Sequence, residues 1–378
     1  LLHLLAGAAA KLGGAQHYLH ARLTHTRLVP IALFVPSLLL LFMIGRRLFP
    51  GTPTPYFAAL LYSALPNVVV QQRVVKEEAL LTPMALLGVY LLLRWDADAE
   101  RRERFIWLAA FVTGLGALAK VPGAFFLPPL VLLFFMRGGL RPALLACAGG
   151  VLGLLPLLLY GAYVDLDLFV FSTGTQAGGR PAHWNILPRF FADGLINHNL
   201  VGHGHTLFVW LAYALAFGKL DAPRRAVLSL PLIYLAALAL SSGNWTFGWY
   251  ILPMMPFICL GAGHFLTDLV ERPTFFGGLL LFGLLVMYGF NFMHDLPWAM
   301  APAGWVVLRR IITPFMLVAL VPFIVAEAWP TRRSLGAARL MTGAGLAAFL
   351  FSSAYFAVHY ETLYDSHRNF DRMTHFGR

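Results

Sequence analysis

The sequence predicts an all-α fold, a polytopic bundle of about twelve transmembrane helices. Three observations predict it. Hydrophobic residues make up 59% of the chain and charged residues only 12%, about half the share in soluble domains. Mean hydropathy is +0.72. The apolar residues gather in long runs, and the connections between the runs alternate in charge.

A helix needs about 20 apolar residues to span a bilayer, and fewer where neighbours thin it. The runs lie at 28–45, 56–71, 79–94, 105–119, 122–136, 142–163, 206–218, 225–241, 248–268, 275–293, 311–327 and 336–356. "LPP" at 127–129 and "LPMMP" at 252–256 predict kinks, tolerated where neighbouring helices satisfy the freed backbone groups. Cys147 and Cys259 fall inside apolar runs and give neither a disulfide framework nor a metal spacing.

Alternate connections carry Arg46 and Arg47; Arg94, Arg101, Arg102 and Arg104; Arg137 and Arg141; Lys219, Arg224 and Arg225; Arg272; and Arg332 and Arg333. The positive-inside rule places this set in the cytoplasm. The net charge of +11 is therefore read as loop anchoring, with membrane lipid and not nucleic acid as the partner. The opposite set faces outward: residues 71–83, Lys120, the long connection 164–205, residues 241–250, residues 294–310 and the C-terminal tail.

The outer stretch "QQRVVKEEALLTP" (71–83) holds Arg73, Lys76, Glu77 and Glu78 between two apolar runs. Arg73, Lys76 and Lys120 break the positive-inside rule. Two readings stand for each: a snorkelling or locally paired interfacial side chain, or a cation kept outside for function.

Four motifs, in order, resemble the GT-C-fold membrane glycosyltransferases, closest to the protein O-mannosyltransferase-like enzymes that use polyprenyl-phosphate sugars. "RLVPIALFVPSLLLLFMIGRRLFPG" (27–51) resembles a family helix opened by Arg and closed by a basic end. "LPNVVVQQRVVKEEALLTP" places Pro66, Arg73 and Glu78 at the family's intervals, with Glu78 where the family more often has Asp. "FVTGLGALAKVPGAFFLPPLVLLF" (111–134) carries the family's Lys as Lys120, and "GWYILPMMPFICLGAG" (248–263) resembles a later helix. The family often has Arg before the Tyr of that last motif; here Trp249 precedes Tyr250, leaving Arg309 or Arg310 as substitutes.

The resemblance implies a GT-C-like transmembrane domain over 1–378. Residues 1–27 would be the remnant of the first outer loop and helix entry, 164–205 a long external loop and 357–378 an external tail. It also implies an inverting sugar transfer from a polyprenyl-phosphate donor to a lipid, glycan or protein acceptor. The setting would be the outer face of a bacterial inner membrane, toward periplasm or exterior, in cell-envelope assembly. Arg73, Lys76, Lys120 and Tyr250 would hold the lipid phosphate; Arg forks bond two oxygens and Lys supplies a compact charge. The usual catalytic Asp lies in the family's first outer loop. Residues 1–26 contain no Asp or Glu, and the chain opens without Met, so it reads as a piece whose true start lies upstream. Glu77 and Glu78 are then the available carboxylates, acting on the acceptor, through a divalent metal, or only as helix-capping charges.

No organic cofactor is expected. In residues 183–206 the histidines give no firm metal spacing. That stretch is read either as acceptor contact through Trp184, Asp193 and His198 or as an amphipathic interfacial helix. Competing functions are a secondary transporter and a non-enzymatic assembly scaffold. The first wants repeats and polar midplane residues, and the second has no use for outer cations.

Overall fold

A computed structural model describes residues 2–17, 21–97, 102–177, 203–241, 248–287 and 302–375. Among them every regular element is helical and no strand occurs. The elements are α1 (Leu2–Leu12), α2 (Leu23–Leu48), α3 (Thr54–Ala64), α4 (Pro66–Gln72), α5 (Glu78–Ala97), α6 (Arg102–Ala119), a 3-10 turn (Val121–Phe126) and α7 (Leu127–Gly138). They continue with α8 (Leu140–Val164), α9 (Leu166–Ala177), α10 (His203–Phe217), α11 (Ala222–Leu228) and α12 (Leu230–Ser241). The last are a 3-10 turn (Gly248–Ile251), α13 (Met255–Glu271), α14 (Phe275–Leu280), a π-helical stretch (Leu281–Met287), α15 (Pro302–Ala328) and α16 (Arg332–His375).

Six of these stretches are long and apolar enough to cross a membrane: Leu23–Leu48, Glu78–Asp96, Val121–Gly138, Leu140–Val164, Ala222–Leu240 and Arg332–Tyr355. Four shorter apolar helices accompany them. The protein is an integral membrane protein. The 25 residues of α8 alone reach about 38 Å, more than a hydrocarbon core.

Prolines divide several expected spans. Pro66 opens α4 and splits the 56–71 run, because a proline donates no backbone hydrogen bond. Pro122 sits at the start of the turn after Lys120. Part of the long connection 164–205 and most of the tail 357–378 are helical. Asp165 breaks the chain after α8, and its Oδ1 accepts from Leu168 N at 2.9 Å, so the first part of 164–205 is the capped helix α9. Residues 357–375 continue α16, which has no proline and no glycine beyond Gly345 to stop it.

The centre is filled by Tyr62, Phe134, Phe208, Phe257 and Phe323, all fully buried. Among the described residues the most extensive helix contact is between α6 and α8. A Cβ on Gly153 would stand 2.2 Å from Phe111 O, and one on Gly114 2.4 Å from Gly150 O. Both backbones therefore touch, as small residues permit between membrane helices. Gly153→Val is expected to cost about 2 kcal/mol of stability through overpacking. The thermal midpoint in detergent checks it, and an unshifted midpoint would contradict a direct backbone contact.

The charges separate into two sets. At one end Arg47 bonds Leu93 O, Arg137 pairs with Asp96, Lys219 meets Asp268 at 3.2 Å, and Arg224 Nε donates to Leu48 O at 2.6 Å. At the other end stand Arg73, Lys76, Glu77, Glu78 and Lys120. Glu78 opens α5 and Asp96 is near its end, so about 27 Å of helix separates the sets, close to a bilayer's hydrocarbon thickness.

Candidate functional site

The site is built where two helices are interrupted. The chain leaves α4 at Gln72, whose Nε2 donates to Pro30 O at 2.7 Å and ties this end to α2. It re-enters a helix at Glu78, with Ala79 N bonded to Lys76 O and Leu80 N to Glu77 O. Glu78 is thus the first residue of α5, where a helix end favours a carboxylate. The second interruption is Lys120, extended at φ −157°, ψ 136° between α6 and the 3-10 turn.

These interruptions meet. Lys120 Nζ pairs with Glu78 Oε1; the lysine side chain is 23% exposed and the glutamate 0%. Glu78 Oε2 is buried with no hydrogen-bond partner among the described residues. Lys120 Nζ also lies 4.1 Å from the centroid of the Tyr250 ring, which stands on the Gly248–Ile251 turn. The Glu78 charge acts on Tyr234, whose buried hydroxyl also lacks a hydrogen-bond partner among the described residues. Phe126 stacks on the Tyr234 ring at 4.6 Å and 16°. The group is a cation open on one side, a buried carboxylate and two tyrosines, held on α5, α12 and two 3-10 turns.

Lys76 and Glu77 flank it. Lys76 Nζ sits 4.8 Å from the Trp249 ring centroid, a cation–π geometry. The place where Trp249 replaces an expected Arg therefore receives a cation from the 71–83 connection, and Arg310 is exposed. Glu77 Oε1 meets His3 Nε2 at 2.7 Å. Its burial raises the carboxyl pKa, but a backbone N–H, the His3 contact and the Lys120 charge outweigh it and hold Glu77 below the usual carboxylate value. Glu77 is ionised near neutral pH.

Arg73 Nη2 donates to Ala357 O on α16 at 3.2 Å. Trp184, Asp193 and His198 lie outside the described residues. Among the described residues no three His, Cys, Asp or Glu side chains converge as metal ligands would. Sequence reasoning missed Tyr234, Phe126, His3 and the Lys76–Trp249 contact. Tyr234 had one signal, as the only polar-tipped side chain in the run "LPLIYLAALAL" (230–240).

This architecture of membrane helices with a charged site at the ends of broken helices is a GT-C-type fold. Residues 16–160 match the sequence model of the family described as dolichyl-phosphate-mannose-protein mannosyltransferase. Two solved structures share the fold. One is the crystal structure of ArnT from Cupriavidus metallidurans bound to undecaprenyl phosphate, with a TM-score of 0.56 and 16% identity. The other is the same protein in the apo state, with a TM-score of 0.54 and 18% identity. Each match covers 88% of this chain and 63% of the other, so the chain spans under two thirds of that protein's length. No curated protein matches the chain.

Proposed function

We propose that this protein is a glycosyltransferase that moves a sugar from a polyprenyl-phosphate donor to an acceptor at the outer face of a bacterial inner membrane. The observation that carries this reading is the Lys120–Glu78 pair, with its cation open on one side and one carboxylate oxygen unsatisfied. The family match over 16–160 and the fold shared with a protein solved with undecaprenyl phosphate support it.

In the proposed reaction an acceptor hydroxyl attacks the anomeric carbon from the face opposite the phosphate. The bond from that carbon to the phosphate oxygen breaks, and its electron pair leaves with the phosphate. Charge grows on the phosphate, so Lys120 and Lys76 stabilise its departure, with Tyr250 as a hydroxyl-bearing wall. The acceptor proton goes to a carboxylate. Glu78 Oε2 accepts or orients that hydroxyl, and Glu77 keeps negative charge beside it. Arg73 serves the site by fixing the connection to α16. Trp184, Asp193 and His198 remain proposed acceptor contacts.

The test is donor consumption by the full-length protein in nanodiscs, using a radiolabelled polyprenyl-phosphate sugar and a membrane extract as the acceptor source. Release of polyprenyl phosphate together with a labelled product is expected. A protein that neither retains nor consumes any such donor overturns the reading. Orientation has its own check in a Cys147→Ser background. With an impermeant maleimide on intact cells, Gln16→Cys should label and Thr52→Cys should not; the reverse pattern inverts the assignment.

A further inference from the structure

A second cleft lies outside the Lys120–Glu78 group, between α1, the start of α2 and the 71–83 connection. Its volume is about 760 Å³, within the range of small-molecule sites. Leu2, Ala6 and Ala10, spaced four apart, are the buried residues of α1, which packs against α2. The cleft is lined by His3, Lys11, Gln16 and His17 on its polar side and by small and apolar groups including Leu23 and Val75.

Charge and shape together specify an occupant. None of the residues that line the cleft is acidic, and the neighbouring carboxylate, Glu77, is engaged by His3. No ion pair among the described residues involves Lys11, which is exposed. The local field therefore favours an anion. A free inorganic anion would leave the apolar lining uncovered. Leu23, which lines the cleft, is 67% exposed, and Leu4, Leu12 and Leu28 on the same two helices are exposed as well, a surface suited to acyl chains.

We propose that this cleft binds the anionic headgroup of a membrane lipid. Lys11, Gln16 and His17 meet the head, and its first methylenes lie along Ala6, Ala10 and Leu23. Because His3 both lines the cleft and holds Glu77, the bound lipid lies against the connection that leads into Glu78. This binding does not depend on the transferase reading.

The experiment is native mass spectrometry of the full chain titrated with phosphatidylglycerol or phosphatidylcholine. Two variants accompany the parent. Lys11→Gln removes the charge. Gly7→Leu fills the cleft, since a Cβ at Gly7 meets nothing within 4 Å and the helix tolerates it. The parent should retain phosphatidylglycerol over phosphatidylcholine. Lys11→Gln should lower phosphatidylglycerol affinity about tenfold, the loss of one charge-assisted contact, and leave phosphatidylcholine unchanged. Gly7→Leu should lower phosphatidylglycerol retention at least as far. Equal retention of the two lipids by the parent, or unchanged phosphatidylglycerol affinity in Lys11→Gln, overturns the proposal. So does competition by soluble glycerol phosphate at the concentrations where the lipid binds, which would make the site one for free phosphate.

Discussion

Lys120→Ala should remove nearly all transfer activity and destabilise the protein as well. The cation has two partners with different needs. Toward the core it is the counter-ion of Glu78, whose side chain is fully buried. Stripping one partner from a buried ion pair costs about 3–5 kcal/mol, because the remaining charge keeps its desolvation penalty or must take up a proton. Toward the open side it faces the proposed phosphate, where removing one preorganised contact lowers the rate by about 10²–10³. Two measurements separate these effects: the thermal midpoint without donor and the single-turnover rate with donor saturating. Both should fall. The double variant Lys120→Ala, Glu78→Gln should regain much of the stability, since no buried charge is left alone, and regain none of the rate. Turnover by Lys120→Ala at the parent rate would show that the leaving phosphate does not meet this cation.

Glu78→Gln should have the opposite profile. Glutamine keeps the shape and removes the charge, and Lys120, being partly exposed, can turn to water. The loss of stability should therefore be smaller than in Lys120→Ala, since no buried charge is left alone. Donor affinity should hold or rise, because an anion near the bound phosphate has been neutralised. Turnover should drop by about 10²–10⁴ if Glu78 takes or orients the acceptor proton. The check is the donor dissociation constant beside the single-turnover rate for the same preparation. A loss of rate matched by an equal loss of donor affinity would assign Glu78 to positioning Lys120 instead.

Much of this arrangement was legible in the sequence. Charge alternation sorts the connections into two sets, and among the described residues Arg47, Arg137, Lys219 and Arg224 stand at the opposite end of α5 from Lys76 and Lys120. Pro66 and Pro122 marked two of the helix breaks. The partners Glu78 and Lys120 were both singled out, because they are charges placed where an apolar chain has no local reason to keep them. What stayed hidden was side-chain direction. In a membrane helix the lipid-facing and core-facing sides are both apolar, so periodicity does not say which turns inward: Leu39 is 57% exposed while the adjoining Leu40 and Leu41 are buried. For that reason Tyr234 could not be placed beside Glu78, nor Lys76 over Trp249. Arg73 also bonds the carbonyl of Ala357, 284 positions away, and no local pattern foretells such a contact. The helix α9 has a readable start in Asp165, whose side chain accepts from Leu168 N.

The glycine contact between α6 and α8 reaches further than packing. Gly114 lies five residues before Ala119, the last residue of α6 and the neighbour of Lys120, about 8 Å along the helix axis. The seam is therefore a fulcrum, and the lysine rides on the short arm beyond it. A methyl group wedged in at Gly114 or Gly153 tilts the rod and carries the ammonium off its carboxylate, although nothing near the substrate has changed. Lesions at these glycines should therefore register in an activity screen as active-site defects. A fixed seam also gives the lysine its aim: the cation is pointed from behind, by two backbones that leave each other no room to move.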